Sequence, residues 1–389
     1  MALAQTIISP PLLLTSDLLP IPSNPPAPAV TSQPDYDRAA DVKAFEDTKA
    51  GVKGLVDAGL TTIPRFFIHP PENDAVVAGV GDPPVHHMPP VIDMGGGRWE
   101  EVVEQIREAA GTWGFFQVVN HGVEAELMEE MLASTRRFHE LPREEKMAFY
   151  SRDVTRPVRY VSNGRLLDRA APADWRDTLA FHVPDGGLDQ QSVPPVCREV
   201  ATEYLKQTLK LKNKLAELLS DAAGLNRDHL STIKCMESQT MACHYYPPCP
   251  QPHLTIGSSK HTDPFCLTIL LQDHNQGLQV RNHDRWVDMP KSAQGALVVN
   301  VGDFLQLITN DKFKSVEHRV VAQSSTTRSS VACFFGPGSE NKYRLYGPAK
   351  ELVLLGGDHV EPVYREVHLV EFLDYFKSNG SPLSHFKLS

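Results

Sequence analysis

The sequence predicts an α+β protein in which a helix-rich N-terminal half packs around a mainly β core in the C-terminal half. Up to about residue 235, apolar residues recur mostly at steps of three and four, the spacing of amphipathic helices. From about residue 240, short runs of Val, Leu, Ile and Phe follow one another, separated by Gly, Asn and Asp. This spacing is typical of a β-sandwich or barrel.

Composition divides the 389-residue chain into four regions. Residues 1–40 hold eight prolines, which fix φ and remove backbone donors, so we expect an extended, disordered leader. Residues 41–235 form the helix-rich region, and residues 236–345 form the β-rich core. Residues 346–389 are a C-terminal extension that contains a last helix.

The N-terminal half contains one strong helix signal and several weaker ones. Over residues 198–223 the apolar positions step by three and four, and Gly224 follows where a C-terminal cap is expected. The other predicted elements are a helix within 41–60, a strand at 91–93, a helix from 99 to about 110, a strand at 115–119, a helix over about 123–139 and a further helix that starts near Leu141.

The C-terminal half is predicted to contain a series of short strands followed by one helix. The polar segment 281–285 separates two of the runs and predicts a hairpin. The last helix is expected over 367–377, because its Leu and Phe residues fall on one face. The predicted strands are 266–272, 277–281, 285–289, 296–301, 316–322 and 330–335.

Charge and cysteine content exclude several classes of protein. A formal net charge of −10 argues against a nucleic-acid-binding or anionic-membrane-binding surface, which needs clustered positive charge. No apolar stretch approaches the roughly 18–20 residues of a membrane span. The six cysteines include no Cys-x-x-Cys pair, and no basic residue precedes the first apolar stretch. We therefore expect a soluble cytoplasmic protein with reduced thiols.

Two histidines and one aspartate have the residue types of a non-haem iron site. His261 and Asp263 are two residues apart, so on a β-strand their side chains point to the same face. His318 lies 57 residues further on, inside a strand-like run. Two histidines and one carboxylate form the facial triad that binds Fe(II) and leaves open positions for a cosubstrate, O₂ and water.

Arg328 and Ser330 follow the second histidine and are again two residues apart in a predicted strand. The guanidinium offers a bidentate fork to a carboxylate, and the hydroxyl adds a donor on the same face. The pair therefore predicts a clamp for the far carboxylate of a dicarboxylic keto acid. The triad and the clamp together predict an oxygenase that consumes O₂ and this acid.

Six motifs spread along the chain carry a resemblance to a known family. They are Trp113–Gly122, Tyr245–Pro252, His261–Asp263, Gly302–Phe304, His318–Val320 and Arg328–Ser330. In this order they resemble the plant 2-oxoglutarate- and Fe(II)-dependent dioxygenases, over about residues 45–385. The resemblance implies a core folded as a double-stranded β-helix (jelly roll), with the three triad residues as iron ligands.

The resemblance also implies how the cosubstrate binds. Arg328 and Ser330 would hold the distal carboxylate of 2-oxoglutarate, and Tyr246 would contact it as well. His244 stands where the family usually has an asparagine that is assigned to the cosubstrate. Since histidine can still donate a hydrogen bond, we expect binding to survive with altered detail. Fe(II), 2-oxoglutarate and ascorbate as reductant are the implied cofactors.

Three further stretches resemble the subgroup named 1-aminocyclopropane-1-carboxylate oxidase homologues. They are residues 45–59, 158–163 and 175–178. Members of that subgroup hydroxylate specialised metabolites, including benzoxazinoid glucosides in grasses and indole alkaloids in other plants. The resemblance therefore implies hydroxylation of a small aromatic or heterocyclic compound, with a benzoxazinoid glucoside ranked first. Phe334 matches a position that packs on aromatic substrates in related enzymes, and Tyr160 is a second candidate for the substrate pocket.

Two other functions remain open on the sequence. The first is an ethylene-forming 1-aminocyclopropane-1-carboxylate oxidase, which uses ascorbate and bicarbonate in place of a keto acid. The proline-rich leader and the stretch at 45–59 argue against it. The second is a binding protein that kept the fold and lost turnover, and the intact triad and Arg328 argue against that. The expected partners are a small-molecule substrate, 2-oxoglutarate and O₂, with neither nucleic acid nor membrane.

Overall fold

The structure is a computed structural model of the 389-residue chain. Most of the leader predicted at 1–40 lies outside the described residues, which begin at Tyr36. The structure describes residues 36–71, 88–164, 166–167, 171–184, 187–283, 285–290, 295–354, 361–380 and 383–388.

The helices follow the predicted apolar spacing, and the longest one has the predicted bounds. The signal within 41–60 forms two helices, because Lys49 and Gly51 adopt left-handed φ angles of 50° and 71° that interrupt the first one. The helices are α1 Arg38–Thr48, α2 Gly51–Asp57, α3 Trp99–Thr112, α4 Ala125–Glu140, α5 Arg143–Met147, α6 Arg198–Ala223, α7 His229–Thr232, α8 Asp303–Ile308, α9 Lys350–Leu354 and α10 Leu369–Asn379. Within the described residues, every helix is too short or too polar to span a lipid bilayer.

The strands include all the predicted ones and several others. Six strands were not assigned by the sequence analysis: β3 to β6, at residues 158–162, 177–183, 238–246 and 256–261, and the short β13 and β14, at residues 345–346 and 367–368. Because β14 occupies residues 367–368, the last helix begins at Leu369 and not at the predicted residue 367. The strands are β1 Val91–Asp93, β2 Phe115–Val119, β3 Val158–Ser162, β4 Asp177–Val183, β5 Ser238–Tyr246, β6 Ile256–His261, β7 Leu267–Gln272, β8 Leu278–Asn282, β9 Arg285–Asp288, β10 Leu297–Val301, β11 His318–Val321, β12 Arg328–Gly336, β13 Leu345–Tyr346 and β14 Val367–His368.

The strands form a large sheet and a small sheet that share one cavity, and β13 and β14 form a separate two-stranded sheet. The large sheet has the order β1-β2-β10-β7-β12-β5-β4-β3, and the small one has the order β6-β11-β8-β9. The hairpin predicted at 281–285 is the β8–β9 pair of the small sheet. Side chains from both sheets line the cavity, so the sheets face each other across it. Strands from both halves of the chain therefore build a single core.

Helix α6 covers one side of this core. Its inward residues, among them Tyr204, Leu211, Leu215 and Leu219, are almost fully buried and belong to the same apolar cluster as the strands of the large sheet. Gly224 ends the helix with a φ of 81°, and its N–H donates back to the last turn, as the sequence predicts. A second, smaller cluster contains Trp175 and residues of α1 and α2, so the first helices pack beside β4.

Candidate metal centre

Three of the predicted site residues meet at the ends of two paired strands. His261 is the last residue of β6 and His318 the first of β11, and the antiparallel register places them directly opposite each other. Their ring centroids are 4.1 Å apart. One ligand atom from each of His261, Asp263 and His318 lies within 4.8 Å of the others, and all three side chains are buried. The fold thus brings together residues that are 57 positions apart in the sequence.

Both imidazoles are oriented with one nitrogen facing the cluster. The Nδ1 of His261 is 2.7 Å from the Ser259 carbonyl oxygen, and the Nδ1 of His318 is 3.2 Å from the Val316 carbonyl oxygen. Because a carbonyl only accepts, each Nδ1 carries the proton and each Nε2 keeps its lone pair. Burial, and then the neighbouring His318, hold the pKa of His261 well below its ordinary value. His261 is therefore a neutral imidazole, the form that binds metals.

Asp263 completes the cluster from a loop. Its Oδ1 is 3.8 Å from the His261 Nε2 and 3.6 Å from the His318 Nε2. Its Oδ2 accepts hydrogen bonds from the Thr268 hydroxyl at 2.7 Å and the Asn300 amide at 3.1 Å. These two bonds fix the carboxylate and leave Oδ1 for a metal.

The prediction that Asp263 lies on the same strand as His261 is wrong in detail. Strand β6 ends at His261, and the chain then leaves the sheet. The backbone N–H groups of Asp303 and Phe304 hold the carbonyl oxygens of Asp263 and Phe265, at 2.8 and 3.1 Å. The two side chains still converge, because this loop turns the carboxylate towards the strand end.

Gly302 explains why this loop can approach so closely. A Cβ at this position would lie 2.0 Å from the Phe265 carbonyl oxygen. This is a steric clash with a backbone atom, which can be relieved only if the backbone moves. Gly302 also donates its N–H to the Cys266 carbonyl at 3.0 Å. The glycine of the motif Gly302–Phe304 therefore positions the loop that carries Asp263.

The donor set fits a divalent iron. Two neutral imidazole nitrogens and one carboxylate oxygen on one side of the site are the ligands of non-haem Fe(II) oxygenases, and they leave the opposite side free for exogenous ligands. Hydrogen bonds to the far atom of each ligand supply the outer support that such sites need. Cys266, close in sequence, is not part of the cluster, because its thiol donates to the Cys235 carbonyl at 3.1 Å.

Arg328 lies in the same cavity and is only 1% exposed. Its Nη1 donates to the Ser330 hydroxyl at 3.1 Å, and its Nη2 donates to the Gln272 side-chain oxygen at 2.8 Å. The guanidinium carbon is 5.0 Å from the centre of the Tyr246 ring. Within the described residues, no carboxylate forms an ion pair with Arg328, and its Nε has no hydrogen-bond partner. A buried charge without a counter-ion is costly, so the site is suited to an anion.

His244 and Tyr246 lie on β5, beside the clamp. The register pairs Ser330 with His244 and Arg328 with Tyr246 across the β12–β5 ladder. The His244 Nδ1 is 3.0 Å from the Thr178 hydroxyl. Burial, with the nearby charges of Arg176 and Arg328, holds the pKa of His244 well below its ordinary value. His244 is therefore neutral, and it faces the cavity.

The two residues predicted for the substrate pocket have different fates. Phe334 lines the cavity, together with the three metal-ligand side chains and Arg328. Tyr160 does not, so its assignment to the pocket is wrong: its hydroxyl donates to the Ala50 carbonyl at 3.2 Å, and its ring packs on Phe138. This hydrogen bond ties β3 to the chain between α1 and α2.

Several residues in the cavity or beside it were missed by the sequence analysis. Thr268, Asn300 and Gln272 support the ligands and the clamp through side-chain hydrogen bonds. Arg176 also lines the cavity. The sequence analysis used it only as part of the stretch 175–178, which resembles the subgroup. No local pattern in the sequence marks Arg176, because it reaches the cavity through the long-range pairing of β4 with β5.

Two protein-family models match the chain. One describes the 2OG-Fe(II) oxygenase superfamily and matches residues 237–337. The other describes the N-terminal region of a non-haem dioxygenase in morphine synthesis and matches residues 89–198. The chain is also 45% identical over 367 residues to 1-aminocyclopropane-1-carboxylate oxidase homolog 3 of Arabidopsis thaliana, which covers 91% of the chain and 98% of that protein. The chain belongs to the 2OG-Fe(II) oxygenase superfamily.

Other relatives place this 2OG-Fe(II) oxygenase among plant proteins. The 1-aminocyclopropane-1-carboxylate oxidase homolog of Solanum lycopersicum is 41% identical, over 91% of the chain and 98% of that protein. A crystal structure of JOX2 in complex with 2OG, Fe and JA is 30% identical, with a TM-score of 0.74 over 87% of the chain and 98% of JOX2. The rice dioxygenase for auxin oxidation is 25% identical, with a TM-score of 0.63 over 77% of the chain and all of that structure.

These similarities confirm the expected jelly roll flanked by helices. They also confirm the reaction class: the protein is an oxidoreductase of the dioxygenase type, and its family uses iron and 2-oxoglutarate.

Proposed function

We propose that this dioxygenase hydroxylates a small aromatic or heterocyclic plant metabolite, with iron held by His261, Asp263 and His318. The observation that carries the proposal is Arg328, a buried guanidinium with no carboxylate partner among the described residues, in the same cavity as the three metal-ligand side chains. A ligand with a metal-binding end and an anionic far end satisfies both features at once. 2-Oxoglutarate has this chemistry.

Each side chain around the cosubstrate has a defined task. Arg328 and Ser330 bind the distal carboxylate through charge-assisted hydrogen bonds. Gln272 holds the guanidinium in place from the neighbouring strand, and the Tyr246 ring packs beneath it. His244 stays neutral and offers one hydrogen bond, the task that the family gives to an asparagine.

The protein positions the reactants and keeps the reaction dry. When bound, ferrous iron supplies O₂ activation, coupled to oxidative decarboxylation of 2-oxoglutarate to succinate and CO₂ and to hydroxylation of a substrate C–H bond. Leu270, Leu278, Val320 and Ala332 give the cavity apolar walls that exclude water from the reacting groups. Asp263 and the two histidines hold their ligand atoms on one side, so substrate approaches from the other.

Phe334 supports an aromatic or heterocyclic substrate. Its ring is buried on the cavity wall and lies 6.4 Å from the ring of Phe265. Aromatic faces favour offset or edge-on packing with a planar ligand. A benzoxazinoid glucoside is the first compound that we would test.

The test is a succinate-release assay across a panel of plant metabolites, with product masses measured in parallel. We expect succinate release that depends on 2-oxoglutarate and a product that is heavier by one oxygen atom. Ethylene release from 1-aminocyclopropane-1-carboxylate without 2-oxoglutarate would instead support the ethylene-forming oxidase. The Asp263→Ala variant is the control for iron-dependent turnover.

The cytoplasm is the location that we propose, with ascorbate as the reductant that keeps the iron ferrous. All six cysteines are free and buried, which suits a reducing compartment. A fluorescent fusion of the full chain tests the location, and omission of ascorbate from repeated turnovers tests the reductant.

A further inference from the structure

The cavity contains a second buried guanidinium in addition to Arg328. Arg176 precedes β4, is 1% exposed and lines the same cavity as the metal-ligand side chains. Its positive charge contributes to the low pKa of His244, so the two groups are close. The proposed reaction gives this side chain no task.

The contacts of Arg176 leave part of its donor capacity free. Its Nη1 donates to the Ser258 hydroxyl at 3.1 Å. Asp174 forms an ion pair with Arg176, but its Oδ2 is 3.7 Å from the Arg176 Nη2, which is too long for a hydrogen bond. The other oxygen of Asp174 accepts hydrogen bonds from the N–H and the hydroxyl of Ser259. The buried Nε of Arg176 has no partner among the described residues.

The charges that line the cavity point to more than one anionic group. Apart from Asp263, which is a metal-ligand candidate, the charged side chains of the cavity wall are Arg176 and Arg328. A guanidinium has five N–H donors in a rigid fork that matches a carboxylate. Arg328 accounts for the distal carboxylate of 2-oxoglutarate, and Arg176 is left facing the same space.

We propose that Arg176 is a second carboxylate-binding residue of the cavity. The proposal rests on the proposed function, since it assigns a ligand group within the same site. The carboxylate could come from 2-oxoglutarate itself or from an acidic organic substrate. Both sources present the same planar anion to the guanidinium, and the two arms of the experiment separate them.

The first arm measures binding of the cosubstrate. Calorimetry is done on the full chain with Mn(II), which prevents turnover, using 2-oxoglutarate and 2-oxobutyrate, a keto acid without the distal carboxylate. If the carboxylate is that of the cosubstrate, Arg176→Gln lowers the affinity for 2-oxoglutarate by about ten- to a hundredfold, as expected when a charge-assisted hydrogen bond is lost. Arg176→Lys, which keeps the charge, retains part of the affinity.

The second arm measures recognition of an acidic substrate. Indole-3-acetic acid and its methyl ester are titrated into the protein saturated with Mn(II) and 2-oxoglutarate. If the substrate supplies the carboxylate, wild type prefers the acid to the ester, and Arg176→Gln loses this preference while 2-oxoglutarate binding is unchanged.

The matched control is Arg159→Gln. Arg159 is buried on β3 of the same large sheet and is not among the cavity-lining residues, so it reports the cost of removing a buried guanidinium. The proposal is overturned if Arg176→Gln changes neither arm, or changes all ligands as Arg159→Gln does. If wild type itself binds no 2-oxoglutarate, the proposed function fails, which is a distinguishable result.

Discussion

At the scale of single residues, the two carboxylate oxygens of Asp263 have different tasks: one faces the metal site, and the other accepts the hydrogen bonds that hold the carboxylate in place. Its Oδ1 faces the histidines, while its Oδ2 is held by Thr268 and Asn300. Neither supporting residue belongs to a motif that the sequence analysis recognised. Both are ordinary polar residues in apolar strands, and their role depends on strand pairing between β7 and β10.

Thr268→Val tests this support. The change keeps the shape of the side chain and removes the 2.7 Å hydrogen bond to the Asp263 Oδ2. We expect iron affinity to fall by about 10- to 100-fold with little change in melting temperature, because outer hydrogen bonds orient a ligand without carrying the fold. Thr208→Val is the control, since its hydroxyl is equally buried and donates to a helix carbonyl. Equal iron affinity in wild type and Thr268→Val would contradict the role.

Arg328→Gln tests the clamp. Removal of the guanidinium is expected to raise the 2-oxoglutarate concentration needed for half-maximal turnover by about 10- to 100-fold, since a charge-assisted pair is lost. Arg328→Lys keeps the charge but lacks the planar fork of the guanidinium. We therefore expect its 2-oxoglutarate requirement to lie between those of wild type and Arg328→Gln. Steady-state kinetics in 2-oxoglutarate and in organic substrate make the comparison. A rise confined to the KM of the organic substrate would show that the clamp is misassigned.

At the scale of secondary-structure elements, the sequence predicted those elements whose apolar residues follow a regular spacing. Helix α6 was predicted with its observed bounds, because its inner face is apolar along its whole length. Strands β5 and β6 were missed, because the residues that line the cavity, such as His244, Ser258 and His261, are polar. A strand that faces a reaction site loses the apolar alternation by which strands are recognised. The pairing of His261 with His318 is a long-range contact that no local pattern encodes.

Gly302→Ala tests the loop that carries Asp263. The added Cβ would meet the Phe265 carbonyl oxygen at 2.0 Å, so the loop must move. We expect a loss of about 1–3 kcal/mol in the free energy of unfolding, as for other overpacked sites, together with weaker iron binding. Gly97→Ala is the control, because its Cβ would make only ordinary contacts, the nearest at 3.5 Å. Denaturant unfolding and iron titration read the two effects, and an unaltered iron affinity would contradict the positioning role of Gly302.

At the scale of the whole molecule, buried neutral histidines make stability depend on pH. Burial lowers the pKa of His139 to about 3, and its ring stacks on Tyr245 with a centroid distance of 5.0 Å. The unfolded chain, with an ordinary histidine pKa near 6.5, therefore binds more protons between about pH 3 and 6.5. Stability from this group is present above pH 6.5 and is lost as the pH falls through that window.

His139→Gln tests the pH dependence. Between pH 6 and 5 we expect the wild-type free energy of unfolding to fall by about 1 kcal/mol more than that of the variant. The reason is that the variant lacks the histidine that takes up a proton only in the unfolded chain. Gln can still donate to the Cys243 carbonyl, which lies 3.2 Å from the His139 Nε2. Denaturant unfolding of metal-free protein is the measurement, so that iron loss does not contribute. Parallel stability curves for the two proteins would contradict the assignment.

The measurement that tests the account most directly is an anaerobic titration of the metal-free chain with Fe(II) and then 2-oxoglutarate, followed by the visible charge-transfer absorption of the keto acid on iron. The account predicts one iron and one 2-oxoglutarate per chain, no absorption band in His261→Ala or Asp263→Ala with the fold intact, and a band that needs more 2-oxoglutarate in Arg328→Gln. A full band in either metal-ligand variant, or unchanged 2-oxoglutarate affinity in Arg328→Gln, would contradict it.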